Sequence, residues 1–157
     1  MPILLERLSV FGIRDPFSAL SHAFGALLAI GATLTLVMRA ADAGCSRYAV
    51  RRMIWYGVSL VVVFSTSFVF HLPDRPPGDL ELYKRLDHAA IFLAIGAATT
   101  VVYSLVREPW AETMIRLTWS VAGVALVIKM LVWPMPLWMS AVLYMAVGWI
   151  AFAGVWM

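Results

Sequence analysis

The chain has 157 residues, of which 62% are hydrophobic and only 13% are charged. A soluble domain carries about 25% charged residues, so this composition excludes an ordinary soluble protein. The net charge of +3 does not indicate nucleic-acid binding, because the basic residues occur singly or in small groups beside long apolar segments. The single cysteine, Cys45, excludes an internal disulfide and a thiolate metal site.

Long uncharged segments predict helices that cross a membrane. No Asp, Glu, Lys or Arg occurs in residues 16–38, 53–73, 89–106 or 137–157. A helix needs about 20 apolar residues to cross a hydrocarbon core of about 30 Å. The alternation of polar and apolar residues that a membrane β-barrel requires is absent. We therefore predict an all-α, polytopic helical membrane protein in which residues 1–157 form a single transmembrane domain.

Five spans are expected, at about residues 16–39, 53–72, 82–106, 113–133 and 137–157. Residues 1–14 form either a short interfacial helix or a loosely ordered tail. Asp15 followed by Pro16 favours a helix start, because Asp accepts hydrogen bonds from free amides and Pro suits the first helical position. Asp79 is the predicted N-cap of the third helix. Lys129, near the end of the fourth span, is expected to extend its amine outward to water.

Polar residues concentrate at one face of the predicted bundle. Successive spans alternate in direction, so the start of span one, the end of span two and the start of span three lie at the same membrane face. The two faces carry nearly equal numbers of Lys and Arg, so the positive-inside rule does not select the cytoplasmic side. The residues that share this polar layer are Asp15, Ser18, His22, Ser67, His71, Asp87 and His88.

Two interpretations of this layer remain open on the residues alone. Ionisable groups inside a membrane are costly and therefore indicate function, and imidazole with carboxylate suits a zinc ion. Alternatively, these groups form hydrogen bonds between helices or are wetted at the interface. A serine precedes both His22 and His71 by four residues, so each hydroxyl is placed to orient either the ring or a water bound near it. Asp87 and His88 point about 100° apart on a helix, so we do not expect both to face one ion.

Four segments resemble the hemolysin III family, which belongs with the progestin and adipoQ receptors, a superfamily that includes the adiponectin receptors. The first two segments are FSTSFVFH at residues 64–71 and RLDHAAIFLAIG at residues 85–96. The others are SHAFGALLAI at residues 21–30 and LYMAVGW at residues 143–149. The resemblance extends over nearly the whole chain, from about Asp15 to Trp149.

The resemblance implies a seven-helix membrane protein with a zinc ion near the cytoplasmic side. It implies that His71 ligates the zinc, that Asp87 holds the zinc-bound water, and that Ser67 is the motif serine. Asp87 and Ser67 are thus the expected catalytic residues. The family's remaining ligands are two histidines in the seventh span, whereas this chain stops after the fifth and resembles a truncated member. A complete site would need His22, His88, a second chain or further helices, and His22 is our second metal-ligand candidate.

Three functions are compatible with this resemblance. The first is a zinc-dependent hydrolase of a lipid amide or ester, with an incomplete site in this chain. The second is a non-enzymatic, membrane-permeabilising (cytolytic) protein, and the third is an inactive truncated remnant. All three predict a multi-pass integral protein of the bacterial inner (plasma) membrane. We expect membrane lipids as partners and no nucleic acid, and homo-oligomerisation is compatible with each function.

Overall fold

The computed structural model describes residues 12–73, 76–106, 108–132 and 134–153, and this part of the chain is helical. Its helices are α1 (Pro16–Asp42), α2 (Arg47–His71), α3 (Pro77–Ser104), α4 (Pro109–Leu131) and α5 (Leu137–Ala153). The first four are long and apolar enough to cross a membrane, and α5 is a shorter apolar helix. The predicted all-α, polytopic membrane architecture is confirmed. The prediction for residues 1–14 falls largely outside the described residues.

The start of α1 agrees with the prediction from the sequence, and the start of α3 does not. Pro16 is the first residue of α1, as predicted, and Asp15 occupies the N-cap position. The predicted N-cap of α3 was wrong: α3 begins at Pro77, and Asp79 lies in its first turn. Proline fixes φ near the helical value and lacks the amide hydrogen that a first-turn residue cannot pair, so it favours this earlier start.

The helices pack in a chain of neighbours with α3 in the middle. α1 packs against α2, α2 against α3, α3 against α4 and α5, and α4 against α5. Because successive helices run in opposite directions, the starts of α1, α3 and α5 lie at one end of the bundle with the ends of α2 and α4. We call this the polar end. The opposite end, where α1 and α3 finish and α2 and α4 begin, is the arginine end.

Small residues let α1 and α2 approach closely. A Cβ added to Gly57 would collide with the side chain of Thr33, and one added to Gly25 would lie 2.7 Å from the ring of Phe64. Such distances are far below van der Waals contact, so each neighbour occupies the space where a side chain would begin. The close approach brings the polar residues of the two helices within reach of each other at the polar end.

Apolar packing joins α3, α4 and α5. Phe92 lies buried against Ala122, Ala125 and Val147 in one cluster. In contrast, α1 exposes large apolar side chains such as Phe17 along much of its surface. Helices in a bilayer can expose apolar surface to lipid tails, so this surface suits a membrane environment.

Candidate functional site

The segment before α1 is tied to the end of α2 by its backbone. The amide of Arg14 donates to the carbonyl of Leu72 at 3.1 Å, and the amide of Asp15 donates to the carbonyl of His71 at 3.2 Å. Ile13 and Pro73 form an antiparallel bridge just beyond. This clasp fixes the position of Asp15 relative to the ring of His71.

Asp15 hydrogen-bonds the predicted ligand His71. Oδ2 of Asp15 lies 3.0 Å from Nδ1 of His71 and 3.0 Å from Nε of Arg14. A carboxylate accepts hydrogen bonds, so Nδ1 of His71 carries the hydrogen and, in the neutral ring, the lone pair is on Nε2. A terminal nitrogen of Arg14 is 3.5 Å from the same Nδ1. This contact is longer, and therefore weaker, than the hydrogen bond to Asp15. The Asp15 side chain therefore orients His71 instead of capping α1.

Arg14 is itself a buried part of the polar end. It is 7% exposed, and its guanidinium carbon lies 4.1 Å from the centroid of the Phe70 ring. The cation therefore has an anionic partner in Asp15 and an aromatic face in Phe70, which together offset the cost of removing it from water.

His22 lies beside His71. The two rings are stacked, with centroids 5.5 Å apart and planes inclined by 21°. Phe64 is on the other side of His22, with a ring-centroid separation of 6.2 Å. The structure thus brings the two predicted metal-ligand residues together, one from α1 and one from α2.

Ser67 and Asp87 join α2 to α3. The hydroxyl of Ser67 donates a hydrogen bond to Oδ1 of Asp87, and Ser67 is buried. The Ser67 hydroxyl is therefore directed to the carboxylate of Asp87 and not to the ring of His71, and the predicted role of Ser67 in orienting a water stays a prediction. Ser67 fixes the carboxylate of α3, and Asp15 fixes the imidazole.

His88 faces a different neighbour, as the helical geometry predicts. Its ring makes an edge-to-face contact with Tyr144 of α5, with centroids 6.4 Å apart. The hydroxyl of Tyr144 donates to the backbone carbonyl of His88 at 3.3 Å. Asp87 and His88 therefore point toward α2 and α5, respectively.

Lys129 is buried, and the expectation that its amine reaches out to water was wrong. The residue is 1% exposed, and its amine donates a hydrogen bond to the hydroxyl of Ser140. The sequence places Lys129 near the end of α4, but α5 returns directly after the turn and covers it. A neighbouring helix therefore supplies the hydrogen-bond acceptor that water would otherwise provide.

The described residues do not assemble a complete set of metal ligands. Within residues 12–73, 76–106, 108–132 and 134–153, no three His, Cys, Asp or Glu side chains lie close enough together to hold a metal ion. A catalytic zinc takes three protein ligands. The chemistry of His71 fits a zinc ligand, but the number of ligands does not complete a site.

The sequence predicted Asp15 as the N-cap of α1 and as a member of the polar layer, but it did not predict the contact of Asp15 with His71 or any role for Arg14 in the site. The available signal was an adjacent Arg–Asp pair directly before an uncharged span. A charged pair at that depth needs partners from another helix, and here the partner is the end of α2.

Comparison with known proteins places this arrangement in a family. The model of the family described as "Haemolysin-III related" matches residues 13–157. The chain is 27% identical over 147 residues to a hemolysin-3 of Bacillus cereus, covering 93% of this chain and 66% of that protein. It is 26% identical over 144 residues to a hemolysin-3 homolog of Bacillus subtilis (strain 168), covering 90% and 66%.

This chain spans slightly less than two thirds of the length of these two relatives. No solved structure gives a significant match to it. The family match begins at the Ile13 clasp and includes every residue of the polar end described above. The chain therefore belongs to the haemolysin-III related family and is a multi-pass integral membrane protein.

Proposed function

We propose that the polar end contributes part of a zinc site, and that the protein is a membrane hydrolase acting on an amide or ester of a lipid. The observation that carries the proposal is the hydrogen bond between Asp15 and Nδ1 of His71. Metal-ligating histidines commonly donate their second ring hydrogen to a carboxylate, which fixes the ring and raises its basicity. His71 has this partner, and its Nε2 is the ligating atom.

Under this proposal, the zinc needs two further protein ligands besides His71. His22 is the nearest candidate because its ring stacks on His71. Since the described residues do not supply a third ligand, the site is completed by chain beyond them or by a second copy in a homo-oligomer.

The residues around the site have separate roles in the proposed hydrolysis. Zinc, when bound, supplies Lewis acidity toward a carbonyl group. Asp87, held by the hydroxyl of Ser67, is placed to orient a water and to accept its proton. A lipid substrate is favoured because the site lies at the end of an apolar bundle with exposed apolar side chains on α1.

Metal analysis of the purified, zinc-equilibrated chain tests the proposal. We expect bound zinc in the native protein and its loss in His71→Ala. His88→Ala is the matched control, because His88 faces Tyr144 instead of His71 and should leave the zinc content unchanged. The absence of zinc from the native chain at saturating metal would overturn the proposal, as would equal loss in both variants.

A cytolytic function is the second candidate, and the names of the two relatives favour it. In this case the chain would permeabilise a bilayer without a catalysed reaction. Dye release from liposomes containing the protein distinguishes the two functions. Release that persists in His71→Ala would support permeabilisation, and no release at any protein-to-lipid ratio would exclude it. We place either function in the bacterial plasma membrane.

A further inference from the structure

A groove on the lipid-facing surface of α2, α3 and α4 lies outside the polar cluster. It has a volume of about 300 Å³ and is lined by Arg52, Trp55, Leu93, Ala97, Thr100 and Trp119. Its lining is almost entirely apolar apart from Arg52 near the start of α2. We call it the Trp119 groove.

The wall of the Trp119 groove is held in one position. A Cβ added to Gly96 would lie 2.9 Å from atoms of the Trp119 indole, so the ring rests where α3 has no side chain. The indole nitrogen donates to Oγ1 of Thr100 at 2.9 Å. The same hydroxyl donates to the carbonyl of Gly96 at 2.8 Å. The hydroxyl and the indole N–H are therefore both paired within the wall, and an apolar face is left for a ligand.

The depth of the Trp119 groove matches one leaflet of a bilayer. Leu93 lies eleven residues before Ser104, the last residue of α3, which corresponds to about 16 Å along the helix axis. Half of a hydrocarbon core of about 30 Å is about 15 Å. The groove therefore runs from the arginine end to near the middle of the membrane, the extent of one acyl chain.

Arg52 stands at the outer mouth of the Trp119 groove. A single terminal nitrogen of its guanidinium donates to the hydroxyl of Tyr48 and, at 3.3 Å, to a carboxylate oxygen of Glu112. The guanidinium carbon also lies 4.0 Å from the centroid of the Tyr48 ring. Both hydrogen bonds use the same terminal nitrogen, and the guanidinium has further N–H donors on its other two nitrogens, which can bind a phosphate.

The arginine end also carries the whole net charge of the protein. By position in the sequence, it has the basic residues Arg39, Arg47, Arg51, Arg52, Arg107 and Arg116 and the acidic residues Asp42, Glu108 and Glu112. Six basic and three acidic residues give this end a charge of +3. The polar end has equal numbers of acidic and basic residues, so the attraction for anionic lipid is confined to the arginine end.

We propose that the Trp119 groove is a binding site for an anionic phospholipid, with one acyl chain along Leu93, Ala97 and Trp119 and the phosphate at Arg52. The groove supplies the apolar contact, and the arginine end supplies the complementary charge. The site is independent of the zinc proposal, since it lies at the opposite end of the bundle.

Native mass spectrometry of the detergent-solubilised chain, titrated with phosphatidylglycerol or phosphatidylcholine, tests this site. We expect preferential binding of phosphatidylglycerol and a loss of about fivefold in its affinity in Arg52→Gln, the effect of one basic residue near the headgroup. Arg39→Gln removes the same charge from an exposed position on α1 and should retain the preference.

Two further variants separate the groove from general charge effects. Leu93→Trp should fill the groove and weaken binding of both lipids, whereas Leu117→Trp, at a similarly exposed position on α4, should not. Glu112→Gln should strengthen phosphatidylglycerol binding, because it removes the anionic competitor for Arg52. Such a gain cannot result from misfolding.

Three results would overturn the proposal. The first is equal binding of the two lipids by the native chain. The second is an equal effect of Arg39→Gln and Arg52→Gln, which would indicate diffuse charge attraction. The third is binding of soluble glycerol phosphate as tightly as of the lipid, which would show that the apolar groove contributes nothing.

Discussion

At the scale of single residues, Asp15 illustrates how tertiary contacts reassign a side chain. Its position before Pro16 predicts a helix cap, and it does occupy the N-cap position. Its carboxylate nevertheless pairs with His71 and Arg14. The hydrogen bonds of Asp15 to the Arg14 cation and the His71 ring lie in a partly buried site, and a hydrogen bond to a charged donor is stronger than one to a helix amide. The amides at the start of α1 can bind water instead.

Asp15→Asn should weaken zinc retention by about 10- to 100-fold if His71 is a metal ligand, because the amide is a poorer acceptor for Nδ1–H. Zinc competition with a chromophoric chelator measures this change. Asp79→Asn is the control, since Asp79 is exposed in the first turn of α3 and should leave zinc retention unaltered. Unchanged affinity in Asp15→Asn would remove the proposed orienting role.

Ser140→Ala should lower the free energy of unfolding by about 1–2 kcal/mol, because the buried amine of Lys129 loses this acceptor. Ser120→Ala, at an exposed position on α4, should change stability little. Thermal unfolding in detergent compares the two variants. Equal stability of both would show that the Lys129–Ser140 hydrogen bond contributes no net stabilisation.

At the scale of helices, the close packing of α1 against α2 depends on which positions are occupied by glycine. Gly57 and Gly31 look equivalent in sequence, since both lie within long apolar helices. In the structure, a Cβ at Gly57 would collide with Thr33, whereas nothing lies within 4 Å of one at Gly31. Only one of these glycines is therefore required for the close approach of α1 to α2.

Gly57→Ala and Gly31→Ala should consequently differ in their effect on the free energy of unfolding. Overpacking at Gly57 should destabilise the protein by about 1–3 kcal/mol. At Gly31, alanine should be neutral or stabilising by up to about 1 kcal/mol, because it favours helix. Thermal unfolding monitored by helicity measures both variants. Destabilisation of similar size in both would contradict the packing described for Thr33.

At the scale of the whole molecule, the alternating helix directions separate a charge-balanced polar end from an arginine end with a charge of +3. The number of Lys and Arg residues is the same at both ends, so sequence alone leaves the orientation in the membrane undetermined. Cys45, the sole cysteine of the sequence, lies exposed between α1 and α2 at the arginine end.

Labelling of Cys45 with a membrane-impermeant maleimide reports the orientation directly. The family resemblance implies a cytoplasmic polar end, and on that expectation Cys45 should react in intact cells. Cys45→Ser should abolish the signal, and Asp79→Cys in that background should react only after the cells are opened. The reverse pattern would place the arginine end in the cytoplasm.

The sequence was sufficient for the helices and for the layer that contains the polar residues, because uncharged length and chain direction determine both. The contacts between side chains of different helices could not be predicted from the sequence in the same way. The pairing of Ser67 with Asp87, and the covering of Lys129 by α5, depend on how neighbouring helices rotate about their axes. No local pattern specifies that rotation, because the apolar residues surround these helices instead of forming one face.

The bridge between Ile13 and Pro73 closes α1 and α2 into a helical hairpin. Inserted separately, the two helices would leave Asp15 and His71 without each other at the membrane boundary. As a hairpin they enter with Arg14, Asp15 and His71 already joined. Biogenesis should therefore favour co-insertion of the first two helices, and the turn at Gly44, with φ of 68°, is where this insertion unit folds back.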